Sequence, residues 1–275
     1  MTESFRDFEL RGWEDPTICA RYDDYFARLT TQSIADLLDG VRIGRSDTVL
    51  DVATGPGYVA GAVASRAAKV VGIDFSAQQL ELARGRYPGI TFQQGDAGNL
   101  PFDSATFDVV LSNFGMPHFP DPERFLREAF RVLRGAGRVG FTTWDVPQEA
   151  KGLGAVYGAI QRHGSVNVGL PAGPNFFLFS DPKQCEQSLA GAGFEAISIT
   201  KVRQTWELPG PDDLFEAVLN ATVRAAATLK AQRPEALKAI RESVREAVAE
   251  YASGGVHRVP MPAVLATASK PQSAL

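Results

Sequence analysis

The sequence predicts an α/β protein on a doubly wound, mostly parallel sheet, and three observations carry that expectation. Short apolar runs at residues 48–50, 69–73, 90–94, 107–111 and 138–143 alternate with segments of helical periodicity. Five such alternations are the pattern of parallel strands joined by crossover helices. The first run leads through Asp51 into Gly55-Pro56-Gly57 and then a small-residue helix over 58–67, so a glycine-rich turn joins strand to helix. The second and third runs end on Asp74 and on Gly95-Asp96-Ala97, and the fourth runs into Ser112-Asn113-Phe114-Gly115. Four strand ends with polar or small residues are thus expected at one crevice. Two later strands, 196–202 and 260–268, bring the sheet to seven.

Composition narrows the function classes. At 275 residues the chain is long enough for one large domain or one domain with a small accessory part. A net charge of −4, with no basic cluster interleaved with aromatics, argues against a nucleic-acid partner. The two cysteines, Cys19 and Cys185, follow no metal or redox spacing, so a reducing cytoplasm is the expected compartment. The first residues are polar and acidic, unlike a signal peptide, and no apolar run has the length of a membrane span. A small-molecule partner is therefore expected, with no membrane partner, in a monomer or homodimer.

Residues 1–15 are polar with scattered aromatics. Over 16–38 the spacing of Ile18, Tyr22, Tyr25, Phe26 and Leu29 predicts two amphipathic helices; residues 1–45 are taken as an N-terminal helical cap on a core of 46–145. Ser76 with Gln79 three residues on has capping-box spacing. Asp121-Pro122-Glu123 is a strong helix start, with Gly135 and Gly137 expected to end that helix. Beyond Trp144 the alternation breaks. A Gly- and Pro-rich stretch at 145–179 carries a short helix near 154–162 and the aromatics Phe176, Phe177 and Phe179. After a helix at 182–192 come two long helices, 212–229 and 234–251. A short tail past Ala268 is expected to be disordered. The interruptions at 145–179 and 207–255 are read as insertions on the substrate side that form a lid, the alternatives being a thicker core or a dimer contact.

The chemistry follows from the strand ends. Gly55 and Gly57 lack a Cβ, so the backbone turns sharply and a ligand approaches it closely. The helix that opens there offers free N–H groups and the positive end of its dipole. Asp74 ends the neighbouring strand about 20 residues on, where an acid accepts the hydroxyls of a ribose.

Four stretches together resemble the class I S-adenosylmethionine-dependent methyltransferases, in particular the small-molecule group related to the ubiquinone and menaquinone methyltransferases. They are V-L-D-V-A-T-G-P-G, V-V-G-I-D-F-S-A-Q-Q-L-E-L-A, G-D-A-G-N-L-P-F-D-S-A-T-F-D-V-V and M-P-H-F-P-D-P-E-R-F-L-R-E-A-F-R-V-L-R-G-A-G-R-V. The resemblance runs through residues 46–145 and implies a Rossmann-like methyltransferase fold with S-adenosylmethionine as cofactor and S-adenosylhomocysteine as product. It implies that Gly55, Gly57 and the Ala53–Thr54 backbone lie against the methionine portion, with Asp51 holding its ammonium. Asp74 meets the ribose, Phe75 and Gln79 the adenine, Asp96 the adenine amino group and Ala97 a ring nitrogen, with Ser76 among the cofactor-binding residues. Asn113 and Phe114 border the cofactor, Tyr22 closes over the methionine end, and the last strand pairs beside the fifth. Ala53 departs from the family, which usually has glycine there.

His118 is the titratable side chain placed for proton work, as a general base or as a loop histidine that lines the pocket. Met116, Trp144, Phe176 and Phe177 are candidate substrate contacts, or core. No Asn-Pro-Pro-aromatic segment follows the fourth strand, and no carboxylate cluster for a metal stands there. O-methylation of a hydroxyl on an apolar or aromatic metabolite is the first expectation, with N- or C-methylation as the alternative. Gly55-Pro56-Gly57-Tyr58-Val59-Ala60 also fits a nicotinamide-dependent oxidoreductase, and an inactive methyltransferase-like binding protein is the third class.

Overall fold

The computed structural model describes residues 3–66 and 69–272. The N-terminal stretch folds as α1 (Phe5–Trp13), where the composition alone assigned no element. Ser4 caps it by accepting the Asp7 amide at 3.1 Å, and Phe5, Phe8 and Trp13 are its buried face. Next come α2 (Pro16–Thr30) and α3 (Ile34–Gly40), separated by one tight turn at Thr31–Ser33.

The alternating region follows the sequence closely: β1 (Thr48–Val52), α4 (Tyr58–Ser65), β2 (Lys69–Asp74), α5 (Ala77–Arg86), β3 (Thr91–Gln94) and β4 (Phe107–Asn113). The expected end of α4 at Ala67 lies outside the described residues. Asp121 caps α6 (Pro122–Val132) by accepting the Arg124 amide at 2.8 Å. That helix stops at Val132, ahead of the glycines expected to end it, because β5 (Leu133–Trp144) begins at once. Gly135 and Gly137 instead lie where the β4–β5 register slips, between the pairs Phe107–Leu133 and Val109–Arg138, with Ala136 at φ +61°.

Later elements depart further. After α7 (Lys151–His163) and α8 (Pro182–Gly191) come β6 (Glu195–Val202) and an unanticipated strand, β7 (Thr205–Leu208). The long helix expected over 212–229 is two, α9 (Asp213–Ala221) and α10 (Arg224–Lys230). They part at Thr222, which is extended and whose Oγ1 accepts the Ala226 amide at 3.1 Å. α11 (Pro234–Ala249) leads to β8 (Ala252–Ser253). The expected last strand is likewise two, β9 (Val256–Pro260) and β10 (Ala263–Ser269), divided at Met261-Pro262 and assigned to different sheets. The tail is not loose at Lys270, whose amide donates to Gly137 O at 2.8 Å. Its Nζ donates to the carbonyls of Phe130 and Leu133, both at 2.7 Å. Residues 273–275 lie outside the described ones.

The chain gathers into two compact units. One comprises Thr30–Trp144, Gly173–Val202 and the chain from Val264 onward. It holds the seven-stranded sheet, ordered β3-β2-β1-β4-β5-β10-β6, so the strand after residue 262 stands beside β5 as expected. β1 is parallel to both β2 and β4, and the strand order reverses between those two, which places a ligand crevice at the carboxyl end of β1. Register aligns the strand ends: Val52 pairs with Ile73, Asp51 with Leu111, Asp74 with Gln94 and Asn113 with Thr142. The main core of this unit joins the sheet (Leu50, Ile73, Val110, Phe141) to α6 (Phe125, Leu126, Ala129) and α8 (Cys185, Leu189).

The other unit is made of the chain up to Leu29, Asp145–Ala172 and Arg203–Ala263. The N-terminal segment that groups with it therefore ends at Leu29, and α3 belongs with the sheet. Its small sheet has the order β7-β9-β8, all antiparallel. α11 packs on α7 and α9, and its residues Ile240, Val244 and Val248, at four-residue steps along one face, are all buried.

Candidate active site

The glycine turn is held from three sides. Asp51, 1% exposed at the end of β1, accepts on one oxygen, Oδ2, from Thr54 Oγ1 at 2.6 Å and from the Ala60 amide at 3.1 Å. Ala60 is the third residue of α4, whose cap residue Gly57 has no side chain, so Asp51 satisfies a helix-start donor from outside the helix. The other oxygen, Oδ1, is buried with no hydrogen-bond partner among the described residues. Gly55 and Gly57 take φ of +52° and +84°, conformations that glycine adopts without strain. A Cβ on Gly57 would meet Phe92 and Tyr87 at 3.0 Å. Ala53 also sits at φ +55°, a left-handed conformation that costs a residue with a Cβ and that glycine adopts freely. Arg86 closes the turn from below, donating to Pro56 O at 3.1 Å with its guanidinium 4.5 Å from the Tyr58 ring centre; sequence reasoning missed it, since only the sheet order brings α5 against the turn.

Asp74 ends β2 and is 5% exposed. Its Oδ2 accepts the Gly55 amide at 2.9 Å and its Oδ1 the Ser76 amide at 3.0 Å. Ser76 in turn caps α5 by accepting the Gln79 amide at 3.1 Å. Gln79 is buried, with Oε1 unpartnered among the described residues. Phe75 is half-buried, its carbonyl taken by Gln94 Nε2 at 2.8 Å. Asp96 and Ala97 are half-buried in the loop after β3, where Asp96 Oδ1 accepts the Gly98 amide at 2.8 Å.

At the end of β4, Asn113 is the centre of a polar network. Its Oδ1 accepts from Ser33 Oγ at 2.8 Å and Thr142 Oγ1 at 2.6 Å, while its Nδ2 donates to Thr30 O at 3.0 Å. Ser33 and Thr142 carried no signal in the sequence beyond being polar. Phe114, at φ +59°, stacks on Trp144 with ring centres 4.1 Å apart. Met116, 1% exposed, packs in the core with Phe119 and Phe125. His118 ends a short turn, Met116–His118, and is half-buried. Phe176 and Phe177 are half-buried and meet edge to face at 5.0 Å. The structure thus brings Asp51, Ala53, Thr54, Gly55, Gly57, Asp74, Phe75, Ser76 and Gln79 to one turn. Tyr22 belongs to the other unit, where it stacks on Phe26 at 5.0 Å and meets Trp13 edge-on at 5.1 Å.

Two buried carboxylates set the electrostatics. Burial pushes the Asp51 carboxyl up to about 7, against the opposing bonds from Thr54 and Ala60, and the charge of Asp74 pushes the same way. Burial raises Asp74 to about 6, opposed by its bonds to Ser76 and Gly55 and by the charge of His118. His118 therefore lies within electrostatic reach of Asp74. A cationic ligand group beside these two carboxylates would favour their charged forms. Among the described residues no group of three or more His, Cys, Asp or Glu side chains is arranged to hold a metal ion.

Residues 50–141, which carry this turn and both carboxylates, match the methyltransferase-domain family. The chain is 38% identical over 116 residues to a demethylmenaquinone methyltransferase of Chlorobaculum tepidum, a match spanning 42% of this chain and 47% of the relative. Against the enzyme of that name from Deinococcus radiodurans it is 37% identical over 163 residues, spanning 53% and 67%. Among solved structures, a Haemonchus contortus phosphoethanolamine N-methyltransferase, in complex with phosphomonomethylethanolamine and S-adenosylhomocysteine, shares the fold. Its TM-score is 0.62 at 20% identity, over 98% of this chain and 61% of that one. Sequence likeness centred on the strand, turn and paired acids, together with the shared sheet, makes this chain a member of the class I S-adenosylmethionine-dependent methyltransferases related to the quinone methyltransferases.

Proposed function

We propose that this protein transfers a methyl group from S-adenosylmethionine to a small-molecule acceptor, most simply to a hydroxyl of an apolar or aromatic metabolite. One observation carries the cofactor reading. Asp51 commits one oxygen to the start of α4 and leaves the other buried beside the glycine turn, with no hydrogen-bond partner among the described residues. A buried acceptor without a donor costs about 1–3 kcal/mol, and a ligand ammonium would remove that cost. The left-handed backbone at Gly55 and Gly57 supports close approach of the methionine portion, and the residues present fit the group.

S-adenosylmethionine supplies, when bound, a methyl already activated by a sulfonium. The chain's own task is then alignment and exclusion of water, and positioning alone contributes about 7–11 kcal/mol to such reactions. Asp51 would hold the ammonium and Asp74 the ribose, with Phe75 against the adenine and Asp96 and Ala97 at its polar edge. Asn113, locked by three hydrogen bonds, would fix the end of β4 that carries Phe114. An imidazole nitrogen of His118 would take the acceptor hydroxyl proton as the oxygen attacks. Phe114 and Trp144, with Phe176 and Phe177, are the proposed apolar contacts.

The relatives from Chlorobaculum tepidum and Deinococcus radiodurans are demethylmenaquinone methyltransferases, which supports a second acceptor reading, a quinone-type ring on which the methylated atom need not be oxygen. His118→Gln separates the two. On a hydroxyl acceptor the substitution should lower kcat about 10²–10⁴-fold. A rate unchanged by His118→Gln, with S-adenosylhomocysteine formed normally, would rule out the base and favour the second reading.

A further inference from the structure

α6 and α8 pack together within the sheet-bearing unit. They leave between them a groove of about 290 Å³, at the lower end of the volumes that hold small molecules. On the α6 side it is lined by Glu123 and Arg127, one helical turn apart and in the order that favours an ion pair. Among the described residues that pair is not formed. Glu123 is held instead from α8: the hydroxyl of Ser188, a residue 7% exposed, donates to Glu123 Oε1 at 3.3 Å and accepts from Gln184 Nε2 at 3.2 Å. Arg127 meets only Asp121, at a loose 3.4 Å with both side chains more than half exposed. A buried hydroxyl thus fixes a carboxylate and an amide at the groove, while the guanidinium beside them keeps most of its donors uncommitted. The end of the groove at Gly191 is open, since an added Cβ there would meet nothing within 4 Å.

We propose that this groove binds a free polar α-amino acid, with its ammonium on Glu123, its carboxylate on Arg127 and its side chain among the amides of Gln184 and Gln187. Charge complementarity selects the ligand class. A carboxylate and a guanidinium that stand side by side without pairing match a zwitterion, whereas a lone anion meets Glu123 and a lone cation meets Arg127 at a like-charge cost. The guanidinium fork also suits a carboxylate, which it takes through two parallel bonds. None of these side chains belongs to the glycine turn, so the site is independent of the cofactor reading.

The test is an NMR-detected titration of the full chain with L-glutamine, with N-acetyl-L-glutamine, which lacks the ammonium, and with the α-carboxamide of L-glutamine, which lacks the carboxylate. Wild type should bind each blocked compound about tenfold more weakly than L-glutamine. Glu123→Gln should bind L-glutamine about tenfold more weakly and no longer distinguish it from the N-acetyl compound. Arg127→Gln should likewise no longer distinguish it from the α-carboxamide. Gly191→Leu fills the open end at a helical position that gains from a side chain, and it should abolish binding. No binding of L-glutamine by wild type overturns the proposal, as does variant binding that matches wild type or weakens equally for all three compounds. Melting curves establish that each variant folds, and titration of the same proteins with S-adenosylhomocysteine keeps a failure here distinct from a failure of the cofactor reading.

Discussion

The carboxylate of Asp74 accepts the amide of Gly55 at 2.9 Å, so the acid at the end of β2 is tied to the glycine turn that follows β1. The same carboxylate receives the Ser76 amide and thereby shapes the start of α5. One residue couples two strand ends and a helix start. Asp74→Ala should therefore lower stability by about 1–3 kcal/mol through the stranded donors, measured by urea denaturation. An unchanged midpoint would mean that the turn holds itself.

The two raised carboxyls give a pH dependence with a definite sign. Folded-state values above the unfolded ones mean that the native ligand-free protein binds the extra protons. Their contribution to stability is present in full below the ordinary carboxylate value near 4. It falls as pH rises to about 6 for Asp74 and about 7 for Asp51, and Asp51→Asn should flatten the upper part of that fall in the melting temperature. An ammonium held by Asp51 favours its carboxylate form, so S-adenosylhomocysteine should bind more tightly as pH rises to about 7. Protons should be released, read as a buffer-dependent heat in calorimetry.

Ala53 occupies a left-handed conformation at φ +55°, where a Cβ costs about 1 kcal/mol. Ala53→Gly should remove that strain and, against the added freedom of the unfolded chain, raise stability by up to about 1 kcal/mol. Ala53→Val should be destabilised further than either, since a branched side chain tolerates this backbone least. Equal midpoints for all three proteins would contradict the strain.

Lys270 closes the end of α6 by donating to Phe130 O and Leu133 O, with Nζ 4.5 Å from the Phe130 ring centre. Lys270→Met keeps the stem and removes the donors. It should lower stability by about 1 kcal/mol in thermal unfolding, whereas a tail without a structural role predicts no change.

Much of the sheet was legible because its signals are local. Apolar runs ending on Asp51, Asp74 and Gly95-Asp96 give both the strand and the turn that stops it, and Asp121-Pro122-Glu123 spells out a helix start. The elements that escaped are short or divided. β7 spans only Thr205–Leu208, too few residues for a period, and Met261-Pro262 splits a run that reads as one strand. At the site, residue types were legible but their tasks were not. Asn113 reads as a strand-end polar residue, yet its partners Ser33 and Thr142 are 80 and 29 residues away. The bearing of His118 on Asp74 likewise comes from sheet order, which no local pattern encodes.

The most direct measurement is calorimetric titration of the wild-type protein with S-adenosylhomocysteine, NADH and NADPH, repeated on Asp74→Ala. The account predicts that the homocysteine compound binds and the nicotinamides do not. In a folded Asp74→Ala its affinity should fall by more than about tenfold, the loss of one charged hydrogen-bonding partner. Binding of a nicotinamide alone, or of none of the three, would contradict the cofactor assignment.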